Sequence, residues 1–241
     1  MSAITEESPT EPVVAGEPAR AGGWGPGKVA VLVVAIAFLA AALTWSIGSV
    51  RGDDPLSTVD VGFMRDMGYH HEQAVQLSLL LLGKTDQERD LRSFGQEIII
   101  DQRYEQGLFD ATLDRFGHPT EVGDEVMGWM GAPVPRDEME GLATDEQIRE
   151  LRAAKGDDAA ALWIALITEH HLGGLHMADY EARHGRDRTT RNLALAMVRN
   201  QRSEVIDLDN YRKRHHLPIP EGFGDPLQDQ RLNPISFTQG G

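Results

Sequence analysis

The chain has 241 residues and no cysteine, which excludes disulfides, thiolate metal sites and cysteine nucleophiles. Any soft metal ligand must therefore be a methionine sulfur. With 38 acidic residues against 23 Lys and Arg, the formal net charge is -15. This charge repels phosphate backbones and argues against nucleic acid as a partner, while it attracts cations, including metal ions.

The amino-terminal 50 residues predict a tail followed by a membrane anchor. Residues 1–27 are rich in Pro, Gly, Ala, Glu and Thr, a composition typical of a disordered tail. Residues 29–47 form an uncharged apolar run, close to the roughly 20 residues that a helix needs to span a bilayer. We predict a single transmembrane signal anchor over 28–50, which places the rest of the chain on the extracytoplasmic side of the cytoplasmic membrane. A cleaved signal peptide, with the alanines at 40–42 as its cleavage site, is the alternative.

The next segment predicts two helices joined as a hairpin. A helix over about 58–82 follows from apolar and histidine side chains at a spacing of three and four, and Gly83 ends it. The sequence from Thr85 to Glu88 has the pattern of a capping box and predicts the start of a second helix that ends at Gly117. The two-residue link between the helices predicts an antiparallel hairpin.

A second pair of long helices follows an irregular connection. Residues 118–140 are dense in Gly and Pro, which predicts a connection without long helices or strands. A capping box at Thr144 predicts a short helix over about 145–154. Apolar periodicity then predicts long helices over about 158–184 and 188–214.

Two polar motifs recur in step along the chain, at an offset of about 100 positions. The recurring pairs are Phe63-x3-Met67-x2-His70-His71 with Trp163-x3-Ile167-x2-His170-His171, and Gln102-Arg103-x-Glu105 with Gln201-Arg202-x-Glu204. The recurrence predicts a duplicated helical hairpin, and two hairpins make an all-α four-helix bundle. We place this bundle at 53–216 and a carboxy-terminal tail, lying on the bundle or loose in water, at 217–241.

The motifs GYHHEQAVQL and TEHHLGGLHMADYEARHG resemble those of domain-of-unknown-function family 305, over roughly residues 58–215. The resemblance implies a ferritin-like four-helix bundle. It also implies a connection with copper, since some members of the family are linked to copper binding and copper tolerance in the cell envelope. The sequence departs from the family pattern in two places: Ile167 stands where a methionine usually precedes the second histidine pair, and Met139-Glu-Gly-Leu142 is the nearest match to a methionine pair in the connection.

The histidines and methionines predict a metal site. Side chains three and four positions apart share one side of a helix, so Met67, His70 and His71 can converge. Imidazole suits copper and zinc and thioether sulfur favours Cu(I), so this combination indicates copper. The predicted metal ligands are Met67, His70, His71, His170, His171 and Met177, with Met64, Met127 and Met130 as possible additions.

The polar residues of the second and fourth long helices leave two interpretations open. Gln102, Glu105, Gln201 and Glu204 are predicted to lie around the histidines. They could hold ligating imidazoles as an outer shell. They could instead form a metal-free hydrogen-bond network that fixes helix register in a membrane-tethered scaffold or interaction module.

The remaining candidates predict packing or surface positions. Met64, Met139 and Met197 are core residues by default, and His118, His176 and His184 are predicted to be exposed. A di-iron oxidase needs a Glu-x2-His motif on each of two helices, and only Glu181-x2-His184 has that spacing. The favoured interpretation is therefore a non-enzymatic protein that sequesters copper or hands it on.

Overall fold

The computed structural model describes residues 55–235, and within them the secondary structure is almost entirely helical. The α-helices are α1 (Thr58–Leu82), α2 (Arg89–Arg115), α3 (Asp145–Ala153), α4 (Gly156–His184) and α5 (Arg188–Arg214). This confirms the predicted all-α class. The predicted tail and transmembrane anchor, 1–27 and 28–50, lie outside the described residues. No helix from 55 to 235 is both long and apolar enough to cross a membrane.

The amino terminus of α1 is held by a capping box. The Ser57 hydroxyl accepts a hydrogen bond from the backbone N–H of Asp60, and the Asp60 carboxylate accepts one from the backbone N–H of Ser57 at 2.5 Å. These contacts satisfy N–H groups that have no partner inside the helix. The helix begins and ends where its apolar periodicity predicts.

The predicted start of the second helix is wrong. α2 begins at Arg89, and its N-cap residue Glu88 makes no side-chain capping bond. Asp86 instead accepts a hydrogen bond from the backbone N–H of Gly156 at 2.7 Å, and Gln87 donates one to the Gly156 carbonyl at 3.0 Å. The side chains expected to cap α2 therefore bind the start of α4, and the link from 83 to 88 is longer than predicted.

The long helices pack as two hairpins, α1 with α2 and α4 with α5, and the hairpins meet mainly through α1 and α4. The buried apolar side chains fall into two clusters along these helices. The first, the methionine cluster, takes side chains from the amino-terminal part of α1 and the carboxy-terminal part of α4. The second, the aliphatic cluster, takes them from the opposite parts of the same two helices. Positions 70, 71, 170 and 171 fall between the two clusters.

The connection between the hairpins is irregular, as predicted, but it is ordered on the surface of α1. Two short antiparallel strands, β1 (Glu125–Val126) and β2 (Val134–Pro135), flank a turn of 3-10 helix. The Asp66 carboxylate accepts hydrogen bonds from the Met127 backbone N–H and the Trp129 indole N–H, both at 2.7 Å. The indole packs against Gly62. Further along, α3 begins at the predicted Thr144 capping box.

The carboxy-terminal segment lies on the helices as far as residue 235, where the described residues end. Pro226 and Leu232 are buried. The Arg202 side chain on α5 donates a hydrogen bond to the Leu232 carbonyl at 3.0 Å.

Candidate metal centre

Four buried imidazoles meet between α1 and α4. The histidine cluster consists of His70, His71, His170 and His171, none of which is exposed to solvent. The rings of His70 and His170 stack with centroids 3.7 Å apart and an interplanar angle of 27°. The His71 and His171 rings lie 6.4 and 5.9 Å from that of His170. The structure therefore brings all four predicted histidines together.

The stacked pair has a defined tautomer. His70 donates a hydrogen bond from Nε2 to the Glu140 carbonyl at 3.2 Å, and His170 donates one from Nε2 to the His70 carbonyl at 2.7 Å. Carbonyl oxygens can only accept, so Nε2 carries the proton in both rings. Burial, with the neighbouring imidazoles, lowers the pKa of His70 and His170 well below the usual value, so both rings are neutral. A neutral imidazole has one N–H, which leaves Nδ1 as an unprotonated lone pair.

The four Nδ1 atoms of the histidine cluster are buried and have no hydrogen-bond partner. Most buried polar atoms in proteins have one, and an unpaired acceptor loses the hydration that it had in water. For His70 and His170 the unpaired atom is a bare lone pair, which is the form that binds a metal ion. The orphaned nitrogens therefore fit a metal ligand set.

The two outer histidines contact glutamates. His71 Nε2 lies 2.7 Å from a Glu105 carboxyl oxygen, and His171 Nε2 lies 2.6 Å from one of Glu204. Burial and the neighbouring His171 imidazole lower the pKa of His71 to about 3. Burial and the Glu204 carboxylate raise the pKa of Glu105 to about 8, so both members of the His71 pair are neutral at pH 7. Glu105 and Glu204 thus stand where an outer shell is predicted.

Gln102 and Gln201 are buried on α2 and α5, the helices on which they were predicted. The amide oxygen of each lacks a hydrogen-bond partner. The Gln201 amide packs flat against the backbone of α4 at Gly174, where a Cβ atom would collide with it. The observed contacts to the outer histidines come from the carboxyl groups of Glu105 and Glu204. An outer-shell role for the two glutamines stays a prediction.

The methionines gather on one side of the histidine cluster. Met67 and Met177 are fully buried in the methionine cluster, and the aliphatic cluster contains no methionine among residues 55–235. The other members of the methionine cluster are Met64, Met127, Met139 and Met197, with Met130 packed against it partly buried. The two methionines predicted to be only core residues, Met139 and Met197, thus lie in the same cluster as the predicted ligands.

The described His, Asp and Glu side chains do not by themselves form a metal site, and this includes the four imidazoles of the histidine cluster. Between residues 55 and 235, no three His, Asp or Glu side chains are arranged so that they could hold one metal ion. Thioethers lie outside that set of ligand types. The donors present, unpaired imidazole nitrogens beside a group of thioethers, fit a soft ion such as Cu(I), which methionine favours.

The sequence pattern of the domain of unknown function DUF305 matches residues 60–212, which is more than half of the chain. The chain belongs to the DUF305 family. A solved DUF305 protein from Streptomyces coelicolor is 31% identical, with a TM-score of 0.63 over 68% of this chain and 97% of that one. A DUF305 fragment from Deinococcus radiodurans is 25% identical, with a TM-score of 0.57 over 66% of this chain and 99% of that one.

The DUF305 chain also shares its fold with CopM. In its Cu(I)-bound form CopM is 20% identical to the chain, with a TM-score of 0.50 over 65% of this chain and 97% of CopM. CopM has also been solved in a Cu(II)-bound form. No curated protein matches the chain significantly.

The DUF305 motifs did not identify the backbone that covers the histidine cluster. The Glu140 carbonyl accepts the His70 hydrogen bond, and Gly141 adopts a φ of +88°. A Cβ atom at Gly141 would lie 3.0 Å from His70 Nε2, so only glycine fits both the conformation and the space. In the sequence, this turn is marked only by the Glu-Gly pair between Met139 and Leu142. Sequence alone identifies that segment only as a partial match to the family's methionine pair.

The one Glu-x2-His pair does not join its side chains in a site. Glu181 is fully buried, whereas His184 is exposed and contacts Tyr180, with ring centroids 4.3 Å apart and an interplanar angle of 41°. Burial, with the Asp60 carboxylate, raises the pKa of Glu181 to about 9, so this carboxyl group is protonated at pH 7. The exposed His176 pairs with Glu140 at 2.7 Å, and this contact raises the pKa of His176.

Proposed function

We propose that this DUF305 protein is a non-enzymatic copper-binding protein, held at the extracytoplasmic face of the cytoplasmic membrane, that sequesters copper or hands it on. The observation that carries the proposal is the pair of unprotonated, unpartnered Nδ1 atoms on the stacked rings of His70 and His170. Each of these buried lone pairs lacks a donor, which is costly unless a cation takes it up.

The residues that would hold the ion are those at the boundary between the histidine and methionine clusters. His70 and His170 would ligate through Nδ1, and Met67 and Met177 would supply thioether sulfur. Copper bound there would be withdrawn from water and from redox exchange with dissolved molecules. The fold shared with CopM, whose structures contain copper, makes copper the first metal to test.

The outer histidines have a supporting part in this proposal. Glu105 and Glu204 contact His71 and His171 at Nε2 and so leave Nδ1 facing away from the carboxyl group. A carboxyl group that holds the second nitrogen of an imidazole fixes the ring and strengthens it as a ligand. The near-equal distances in the two hairpins also support a duplicated, ferritin-like bundle as the origin of the site.

The membrane location rests on the apolar run 29–47 and on the charge around it. Its test is fractionation of cells that express the full chain or a chain lacking 29–47, followed by protease treatment of intact spheroplasts. We expect the full chain in the membrane fraction with its helical domain digested from outside. Recovery of the full chain in the soluble fraction, or protection of the domain, would contradict this location.

Copper binding is tested by titrating the full chain, in a mild detergent, with Cu(I) and with Cu(II). The comparison is a variant with all four histidines of the cluster changed to Ala, and the matched control is His184→Ala, which removes an exposed imidazole. We expect the wild type and the control to bind alike and the quadruple variant to lose at least roughly tenfold in affinity. Equal affinity in all three proteins would reject the proposal.

A metal-free structural network is the second candidate, and one observation favours it: each Nε2 of the histidine cluster already has a close oxygen neighbour within the protein. Such a network predicts that copper leaves the thermal unfolding temperature of the wild type unchanged, because a ligand stabilises only the state that it binds. A copper-dependent rise in that temperature, absent from the quadruple variant, would exclude this candidate.

A further inference from the structure

One turn of the connection covers the histidine cluster. In this cover turn, residues 139–143, the Glu140 carbonyl binds His70 Nε2 at 3.2 Å and Met139 is buried in the methionine cluster. The turn lies so close to α4 that a Cβ atom at Gly173 would collide with the Glu140 carbonyl. Since none of the four imidazoles is exposed, a metal ion cannot reach them unless part of the protein moves.

The cover turn is attached at both ends by side chains. At its downstream end, Gln73 on α1 binds the Ala143 backbone twice, with N–H donation to the carbonyl at 2.9 Å and acceptance from the amide at 2.6 Å. At its upstream end, the Glu140 carboxylate accepts from His176 at 2.7 Å and from Arg231 at 3.0 Å.

Arg231 belongs to the carboxy-terminal segment and ties that segment to two parts of the domain at once. Its guanidinium binds Glu140 on the cover turn and, at 2.9 Å, Glu169 on α4. Asp229, two positions earlier, binds the same guanidinium at 2.7 Å and orients it. The buried Leu232 and its hydrogen bond from α5 keep the segment in place.

The cover turn is the part of this shell that opens most readily. α1 and α4 are held by continuous backbone hydrogen bonds and by core packing, so moving either of them disrupts many contacts at once. Apart from the buried Met139 and the His70 hydrogen bond, the upstream end of the turn is held by ion pairs. The side chains of these pairs are about one third exposed, 27% for Arg231 and 33% for Glu140. Ion pairs at such positions contribute little stability each and break on local fluctuation.

We propose that Arg231 and Glu140 form a latch that controls how fast copper enters and leaves the histidine cluster. The inference rests on the proposed function, because it assumes that copper is the ion that enters. With the latch closed the site is sealed from water. When the Arg231 ion pairs break, the cover turn swings on its Gln73 attachment and the stacked imidazoles become accessible.

Two latch variants of the full chain test this, Arg231→Gln and Glu140→Gln. The second keeps the backbone carbonyl that His70 binds. In the metal-free protein, hydrogen exchange of the cover-turn amides should become roughly threefold faster or more in both variants. Stopped-flow loading with Cu(I), and removal of bound Cu(I) by a colorimetric chelator, should accelerate to a similar extent, while the equilibrium affinity stays within about twofold of the wild type.

The matched control is Arg103→Gln, which removes a bidentate ion pair with Glu72 on the exposed faces of α1 and α2. It should leave both exchange and copper rates unchanged. If the wild type binds copper and the latch variants show wild-type exchange and wild-type rates, the latch is wrong and the proposed function stands. If the wild type binds no copper, the proposed function fails and the latch fails with it.

Discussion

Each buried histidine of the cluster uses its two ring nitrogens differently. Nε2 lies against an oxygen of the protein, and Nδ1 has no partner. The protein oxygen orients the ring, which leaves the other nitrogen as the candidate ligand. The predicted role of Glu105 and Glu204 can therefore be tested separately from the histidines themselves.

Glu105→Gln and Glu204→Gln are each expected to weaken copper binding about 10- to 100-fold. Stability should change little for Glu105→Gln, because burial raises the pKa of Glu105 to about 8 and Gln resembles the neutral acid that it replaces at pH 7. Copper titration and urea unfolding measure the two effects. The control is Glu97→Gln at an exposed position of α2. If Glu105→Gln and Glu204→Gln both bind copper with wild-type affinity, the two glutamates have no role in the metal site.

Glu181 gives the chain a stability that depends on pH. Its pKa in the folded protein, raised to about 9 by burial and by Asp60, exceeds the unfolded value of 4.5. Between these values the folded state holds a proton that the unfolded state releases, so this contribution to stability is complete below pH 4.5 and is lost as the pH rises to 9.

The neutral amide of Glu181→Gln does not titrate. The stability of this variant should therefore increase relative to that of the wild type as the pH rises. Denaturant unfolding at pH 5 and pH 9 should show the variant gaining several kcal/mol in free energy of unfolding, relative to the wild type, at the higher pH. Glu97→Gln should show no such change. A difference between Glu181→Gln and the wild type that is the same at both pH values would contradict the buried, protonated carboxyl group.

Residue spacing predicted the histidine cluster but not its cover. His70 and His170 lie on the apolar stripes of α1 and α4, and their motif recurs at an offset of 100 positions. Both features predict that the two side chains face the interior of the bundle and are buried there. The acceptor from Glu140 is a main-chain carbonyl, which has no side-chain signature in a sequence. Arg231 lies beyond the matched family region and binds carboxylates far away in sequence, so no local pattern could connect it with the site.

At the scale of elements, local capping sets the starts of α1 and α3, whereas tertiary contacts set the start of α2. α1 begins at its predicted residue because Ser57 and Asp60 cap it locally. α2 does not begin at Thr85, because Asp86 and Gln87 bind the backbone of Gly156 in the other hairpin. A capping pattern predicts only the hydrogen bonds that a segment can form within itself. Here the Gly156 backbone binds the side chains that were expected to cap α2.

Two helical glycines predict opposite effects of the same substitution. Gly62 on α1 packs against the Trp129 indole, and an added methyl group would collide with it; Gly107 on α2 has open space around it. Gly107→Ala should raise the free energy of unfolding by about 0.5–1 kcal/mol, since Ala is the better helix former. Gly62→Ala should lower it by roughly 1–3 kcal/mol, because the indole must leave its site.

Urea unfolding measures both changes. Because the chain has four tryptophans, the environment of Trp129 is followed as the difference in fluorescence between Gly62→Ala and Gly107→Ala. The two variants serve as controls for each other, since each adds one methyl group to a helix interior. A stabilising Gly62→Ala with unchanged fluorescence would mean that the Trp129 turn is not docked on α1.

For the whole molecule, two hairpins that meet through α1 and α4 bring together histidines about 100 positions apart. The repeat in the sequence anticipated this meeting, and the family match over 60–212 is consistent with it. The one-sided grouping of the methionines was not predicted as a whole, because Met139 and Met197 have no partner motif. It follows from packing, which places Met139 of the cover turn and Met197 of α5 in the same cluster.

The central claim is that His70 and His170 bind copper through Nδ1 while Nε2 keeps its proton. Nitrogen-15 NMR of the histidine-labelled full chain observes both ring nitrogens directly. The metal-free spectrum should show the rings of His70 and His170 as neutral Nε2–H tautomers. One equivalent of Cu(I) should shift their Nδ1 signals while the Nε2–H signals persist. Buried-ring signals that do not respond to Cu(I), or a response confined to the exposed histidines, would contradict the account.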